Sequence, residues 1–281
     1  MKLSLCNEVL GTLPFEDQCE LAARLGYDGL EIAPFTLAEA PERIAAAEAR
    51  RLRGVVEAAG LSVTGLHWLL VKPAGLSVTA PDAAVRRRTL EVVTRLIGLC
   101  AELGGSVLVH GSPKQRQVAP GETHAVARER LRDFLAEAAE VAARHDVVYC
   151  IEPLAPQETD LVNTVAEAVA LVREIDRPGL RTMIDCSAAG NAERRSVAEL
   201  LDEWLPTGLI AHIQVNEPNR RAPGQGPMRF GPILAALTRN GYAGTVSVEP
   251  FDYVPDGPGA AAFAIGYLRG ILDAQGPGAS P

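Results

Sequence analysis

The sequence predicts an α/β protein, a single (β/α)8 TIM barrel over residues 1–275 with a loose tail over 276–281. Three observations carry this. Short apolar runs alternate with helical stretches from one end of the chain to the other, the pattern of a parallel sheet covered by helices. No Ser/Gly-rich linker or composition shift divides the chain, and barrels of this length commonly form one domain. No Gly-x-Gly-x-x-Gly follows a strand, which disfavours a doubly wound open sheet.

Taken in order, a first strand over 2–5 precedes a helix over 14–25, with Glu16 and Asp17 in its first turn and Gly26 at its end. A second strand over 29–33 carries Glu31, and its helix runs over 41–59 to Gly60. The third strand, 62–67, precedes a helix opening at Pro81-Asp82 and closing at Leu103-Gly104. The fourth, 106–110, precedes a helix over 122–145. The fifth strand ends at Glu152, and its helix starts near Asn163-Thr164 with Val165, Ala168, Val169 and Val172 at helical spacing. The sixth ends at Asp185 before a helix over 196–205, and the seventh at Gln214 before a Pro/Gly-rich loop and a helix over 232–239. The eighth ends at Glu249, and a last helix covers 260–272.

The second half of the chain repeats one sentence four times. Val147-Val148-Tyr149-Cys150-Ile151 ends on Glu152, and later runs end on Asp185, Gln214 and Glu249. These residues fall roughly thirty apart, enough for a strand, a crossover helix and two loops each. On parallel neighbours they meet at one sheet edge. In a barrel that edge, at the carboxyl ends of the strands, is where active sites lie. Three clustered carboxylates raise one another's pKa unless a cation neutralises them. An all-oxygen set of Glu152, Asp185, Gln214 and Glu249 suits Mn²⁺ or Mg²⁺, with Co²⁺ as an alternative.

Glu31, His67 and His110 also end strands. A neutral imidazole there either hydrogen-bonds a sugar hydroxyl or orients a carboxylate. In the loop after the seventh strand, Arg220 or Arg221 offers a planar fork of donors to a substrate oxygen. Glu158, on the loop after Glu152, either binds substrate hydroxyls or is merely exposed.

The formal net charge of −8 argues against a duplex nucleic-acid partner. Five cysteines, odd in number and without Cys-x-x-Cys spacing, read as small buried hydrophobes. No signal peptide and no membrane-length apolar run is visible, so the expectation is a cytoplasmic protein with no membrane partner. A small-molecule substrate and a homo-oligomeric assembly are compatible with these features.

Several stretches resemble the xylose-isomerase-like superfamily of sugar isomerases and epimerases. They are Leu25-Gly26-Tyr27-Asp28-Gly29-Leu30-Glu31, Ile151-Glu152-Pro153, Met183-Ile184-Asp185, His212 to Glu217 with Pro223-Gly224-Gln225-Gly226, and Gly241-Tyr242-Ala243-Gly244 with Val248-Glu249-Pro250. Resemblance to ketose 3-epimerases implies that Glu152, Asp185 and Glu249 are metal ligands, that Glu152 and Glu249 form the acid–base pair, and that Glu158 and Arg220 bind substrate. Two departures stand out. Gln214 replaces the ligand His of those epimerases, as in hydroxypyruvate isomerase, and Ala188 replaces a substrate-binding His.

The expected activity is a metal-dependent isomerisation or epimerisation of an α-hydroxy-carbonyl compound, a ketose or small keto acid, through an enediolate. The alternative is a lyase that eliminates a β-substituent from a keto sugar or keto-glycoside.

Overall fold

The computed structural model describes residues 1–276. Eight parallel strands close into a barrel in sequence order, and β8 pairs with β1 to complete the ring. They are β1 (Lys2–Cys6), β2 (Gly29–Ile32), β3 (Ser62–Leu66), β4 (Val107–His110), β5 (Val148–Ile151), β6 (Leu180–Asp185), β7 (Ile210–Val215) and β8 (Thr245–Val248). The surrounding helices are α1 (Phe15–Leu25), α2 (Ala46–Ala58), α3 (Ala83–Leu103), α4 (His124–Arg144), α5 (Val165–Ile175), α6 (Cys186–Ala192), α7 (Val197–Trp204), α8 (Phe230–Arg239) and α9 (Gly257–Gln275). The expected tail beyond Gly276 lies outside the described residues.

Local chemistry sets most boundaries. Asp82 caps α3 by accepting from the Ala84 amide at 2.8 Å, and Thr164–Glu167 and Ser196–Glu199 form capping boxes on α5 and α7. α1 and α3 stop at glycines in left-handed conformation, Gly26 at φ 93° and Gly104 at φ 84°.

Several boundaries differ from the sequence reading. The helix expected over 41–59 is a 3-10 turn, Pro41–Arg43, followed by α2, because Ile44 and Ala45 are not helical. α6 was not anticipated: its Cys-Ser-Ala-Ala-Gly-Asn-Ala run shows no apolar periodicity, and its start is signalled only by Asp185, which caps it. α8 and α9 begin two and three residues before the expected positions, α8 burying Phe230 and α9 capped by Asp256.

All five cysteines are free and buried. The arginines of α2 make exposed ion pairs, Arg50 with Glu102, Arg51 with Glu48 and Arg53 with Glu57, worth little individually. Among the described residues no helix is long and apolar enough to cross a membrane.

Strand alternation divides the apolar residues into two sets. Leu108, Tyr149, Ile151, Ile184, Ile213 and Val248 pack outward with the helices in the main core. Val107, Val109, Cys150 and Met183 form a separate cluster inside the barrel. Glu152 is two residues beyond Cys150, and Asp185 two beyond Met183, so both carboxylates continue the inward face.

β3 and β4 approach closely where Gly65 pairs with Val107. A Cβ on Gly65 would lie 2.1 Å from the Val107 carbonyl oxygen, a backbone atom that cannot swing aside. Gly65→Ala is expected to lower stability by about 1–3 kcal/mol through overpacking, read as a lower urea midpoint with an unchanged slope.

Candidate active site

The barrel mouth is built in two levels. In the lower one Glu31 is fully buried. His212 Nε2 lies 2.8 Å from its Oε2, and Gln214 Nε2 donates to its Oε1 at 3.3 Å. Burial opposes ionisation of Glu31, but the His212 charge and hydrogen bond outweigh it and hold the carboxyl at about 2. This carboxylate is therefore ionised and paired.

The upper level is not compensated in this way. Glu152, Asp185 and Glu249 are at most 7% exposed. Burial, with Asp185 and Glu249 as neighbours, pushes Glu152 well above the usual carboxylate range. Burial lifts Asp185 to about 7, against hydrogen bonds from the Ala188 amide and Asn216. Burial also lifts Glu249 to about 8, with Asp185 and Glu8 adding to it and His67 opposing. Asn216 organises this level: its Nδ2 donates to Asp185 Oδ2 at 2.8 Å and to the Glu249 carbonyl at 3.0 Å, and its Oδ1 accepts from the Ser187 amide.

Gln214 completes the sequence-predicted quartet. Its amide nitrogen is engaged by Glu31, whereas its Oε1 is buried with no hydrogen-bond donor among the described residues. Three carboxylates of raised proton affinity and an orphaned amide oxygen are donors of the type a hard divalent cation takes, so their chemistry, all oxygen, fits the expected metal.

A second donor group shares Glu249. Atoms of Cys6, Glu8, His67 and Glu249 lie within 4.8 Å of one another. Here His67 already fills the centre: its Nδ1 is 2.8 Å from Glu249 Oε1 and its Nε2 is 3.0 Å from Glu8 Oε2. The two carboxylates hold opposite edges of the ring, so the imidazole itself occupies the space between them. Burial would lower the His67 pKa, but Cys6, Glu8 and the Glu249 hydrogen bond raise it well above the usual range. His67 thus reaches the mouth with both ring nitrogens committed to carboxylates, the orienting role of the two considered for it.

His110 does not join the cleft. It shares the outward face of β4 with Leu108, its Nδ1 is 2.8 Å from the Tyr149 hydroxyl, and its ring meets Phe134 of α4 edge-on at 5.8 Å. Burial, with Arg116 nearby, lowers its pKa to about 3, so it is neutral.

Arg220 and Glu158 line the cleft beside Glu152. Arg220 has a left-handed backbone, φ 70°, and its guanidinium sits over the Phe251 ring at 4.8 Å. Its carbonyl accepts from the Phe251 and Asp252 amides, which pins the loop onto the exit of β8. Arg221 turns away into an exposed ion pair with Asp252.

Several residues here had no role in the sequence reading. Glu217, fully buried, accepts from the amides of Gly224 and Met228 and holds the loop closed around Arg220. Trp68, also at positive φ, meets Phe35 and Phe251 edge-on. Arg116 is fully buried, and its guanidinium nitrogens have no hydrogen-bond partner among the described residues. Burial lowers it to about 10, and Glu152 and Glu158 support its charge. Strand ends are visible in a sequence; these residues lie in loops and offer no such signal.

Residues 19–271 match the family model described as xylose isomerase-like TIM barrel. A D-psicose 3-epimerase of Ruminiclostridium cellulolyticum is 28% identical over 240 residues, spanning 83% of this chain and 76% of its own. A 3-dehydro-D-guloside 4-epimerase of Escherichia coli is 24% identical over 277 residues, spanning 96% and 99%. The crystal structure of the 3-keto-D-glucoside 4-epimerase from E. coli superposes with a TM-score of 0.82 at 21% identity, covering 96% of this chain and 99% of that one.

One glycine tests the placement of Glu152. A Cβ on Gly111 would fall 2.1 Å from Glu152 Oε2, the movable end of a side chain rather than backbone. Gly111→Ala is expected to keep the wild-type melting temperature while losing about 100-fold in turnover, because the carboxylate must shift by about an ångström. A lowered melting temperature with normal turnover would show that Glu152 is not placed by this contact.

Proposed function

Because the chain belongs to the xylose isomerase-like TIM barrel family, we propose that it is a sugar epimerase that inverts a hydroxyl-bearing carbon next to a ketone. The observation that carries this reading is the pair Glu152 and Glu249. They enter one cavity from β5 and β8, three strands apart around the ring, and both have strongly raised proton affinity. Two carboxylates that face one cavity from separate strands are placed for general acid–base work on a carbon held between them.

Glu152, Asp185, Gln214 and Glu249 would hold one divalent cation, Mn²⁺ or Mg²⁺. When bound, it would neutralise the clustered carboxylates and polarise a carbonyl with its neighbouring hydroxyl. The protein's own contribution follows from the side chains. One glutamate removes the carbon-bound proton α to the ketone, and the other delivers a proton to the opposite face of the same carbon. His67 fixes the carboxylate of Glu249 and spreads charge toward Glu8. Arg220 and Glu158 bind substrate oxygens, and the Phe251 face holds the Arg220 guanidinium in place.

The named relatives are ketose 3-epimerases and keto-glycoside epimerases, which favours proton return over β-elimination and a sugar over a small keto acid.

In deuterated water, the Mn²⁺-loaded protein is expected to place deuterium α to the carbonyl of a ketohexose or keto-hexoside. Glu152→Gln and Glu249→Gln should each lose at least about 100-fold of that exchange; ordinary exchange in either would remove that residue from the acid–base pair. EDTA should abolish exchange and Mn²⁺, Mg²⁺ or Co²⁺ should restore it. Gln214→Ala should weaken metal retention, measured by metal content after dialysis, while leaving the far-UV spectrum intact. Undiminished retention would take Gln214 out of the ligand set.

A further inference from the structure

The mouth consists of two lobes. One, of about 320 Å³, is walled by His67, Trp68, Val109 and Lys114 and contains both Glu152 and Glu249. The other, of about 300 Å³, is walled by Asp185, Ala188, Asn191 and Pro218, and contains Glu152 but not Glu249. Leu154, Gln157, Glu158, Arg220 and Phe251 line both, as Glu152 does, so the two lobes adjoin along these residues. Chemistry that uses both glutamates must take place in the first lobe. Each lobe has the volume of about ten water molecules, at roughly 30 Å³ apiece, which is room for one sugar ring.

The second lobe is therefore a ring-sized space beside the reacting one, and its walls say what it accepts. Ala188 presents only a methyl group where α6 faces the cavity, and Ala155, Leu154, Pro218 and Phe251 add apolar surface. Asn191 and Gln157 bring amides. The charges are Glu152, Glu158 and Asp185 against Arg220 alone among the described lining residues. With Glu152 and Asp185 turned to a cation, Glu158 stands against Arg220 and no further cationic side chain among the described lining residues is left for a phosphoryl group, whereas an uncharged ring would pack on the apolar wall and hydrogen-bond the amides.

Resting on the epimerase reading above, we propose that the second lobe seats a second, uncharged ring. The substrate is then a keto sugar in glycosidic linkage, unphosphorylated, with its ketone-bearing ring between Glu152 and Glu249 and its attached ring over Ala188.

The test uses the Mn²⁺-loaded enzyme and substrates that share one reacting ring: a methyl 3-keto-hexoside, its 6-phosphate and the corresponding hexosyl 3-keto-hexoside, with a free ketohexose alongside. Solvent deuterium incorporation gives kcat/KM for each. The wild type should favour the two-ring substrate over the methyl glycoside by at least about tenfold. Ala188→Phe, which fills the lobe, should bring that ratio close to one, and Ala188→Leu serves if the phenylalanine variant does not fold. A ratio near one in the wild type, a ratio that survives both substitutions, or preference for the phosphate overturns the inference. Exchange confined to the free ketohexose also overturns it but leaves the epimerase reading standing. Exchange with none of the four overturns that reading itself.

Discussion

The constraint on which this molecule depends is electrostatic. Three carboxylates, on Glu152, Asp185 and Glu249, are buried together at the mouth of a closed barrel, and each resists ionisation by its neighbours. Burying like charges is costly, so the fold must hold them there. Barrel closure does so first, because the inward parity of β5, β6 and β8 leaves these side chains no other direction. Local devices refine it. Asn216 ties Asp185 to the β8 exit, Asp185 caps α6, His67 clamps Glu249, and Gly111 leaves the space that Glu152 occupies.

The two levels of the mouth show environment choosing the role of one residue type. Glu31 and Glu249 are both buried glutamates inside the same barrel. Glu31 is held at about 2 by His212, whereas Glu249 is pushed to about 8 despite the imidazole beside it. The difference is the company each keeps. Glu31 meets His212, the Gln214 amide and the Cys6 thiol, while Glu249 also faces Asp185 and Glu8. Glu31 is therefore a fixed charge that orients Gln214, and Glu249 is a group able to exchange a proton. The lower level turns the Gln214 amide so that its oxygen is left without a donor among the described residues.

Most of the barrel was legible in the chain because parallel strands buried on both faces read as near-continuous apolar runs, and caps and glycines punctuate the helices. The quartet was legible because its members end such runs. Ending a run, however, does not decide which way a side chain points. His110 ends β4 as Glu152 follows β5, yet it lies on the face of Leu108 and meets α4, while its neighbour Val109 lines the cleft. The period of two contains that answer: counting inward from Cys150 or Met183 places Glu152 and Asp185 inside, and counting from Leu108 places His110 outside. What no count reaches is the loop chemistry. Glu8, Arg116, Asn216 and Glu217 act through contacts between segments far apart in sequence, and α6 starts from a single aspartate without apolar periodicity.

The loop after β7 shows why such contacts matter for a site of this kind. A flexible loop carrying Arg220 would have to be ordered each time a ligand arrived, at an entropic cost taken from affinity. Here the ordering is built in. The Glu217 carboxylate accepts two amides from the far limb of the loop, and Gly226 leaves room for it, since a Cβ there would lie 2.4 Å from the carboxylate oxygen. The Arg220 carbonyl accepts two amides from the β8 exit, and its backbone adopts a left-handed conformation that only such fixed contacts sustain in a residue with a side chain. The guanidinium then lies on Phe251, which meets Trp68, which meets Phe35. This chain of rings joins the loops after β2, β3 and β8 to the one carrying Arg220, so the residues shared by the two lobes are held in place. A ligand that touches these residues meets a surface already shaped, and more of its contact energy remains for holding the reacting carbon between the two glutamates.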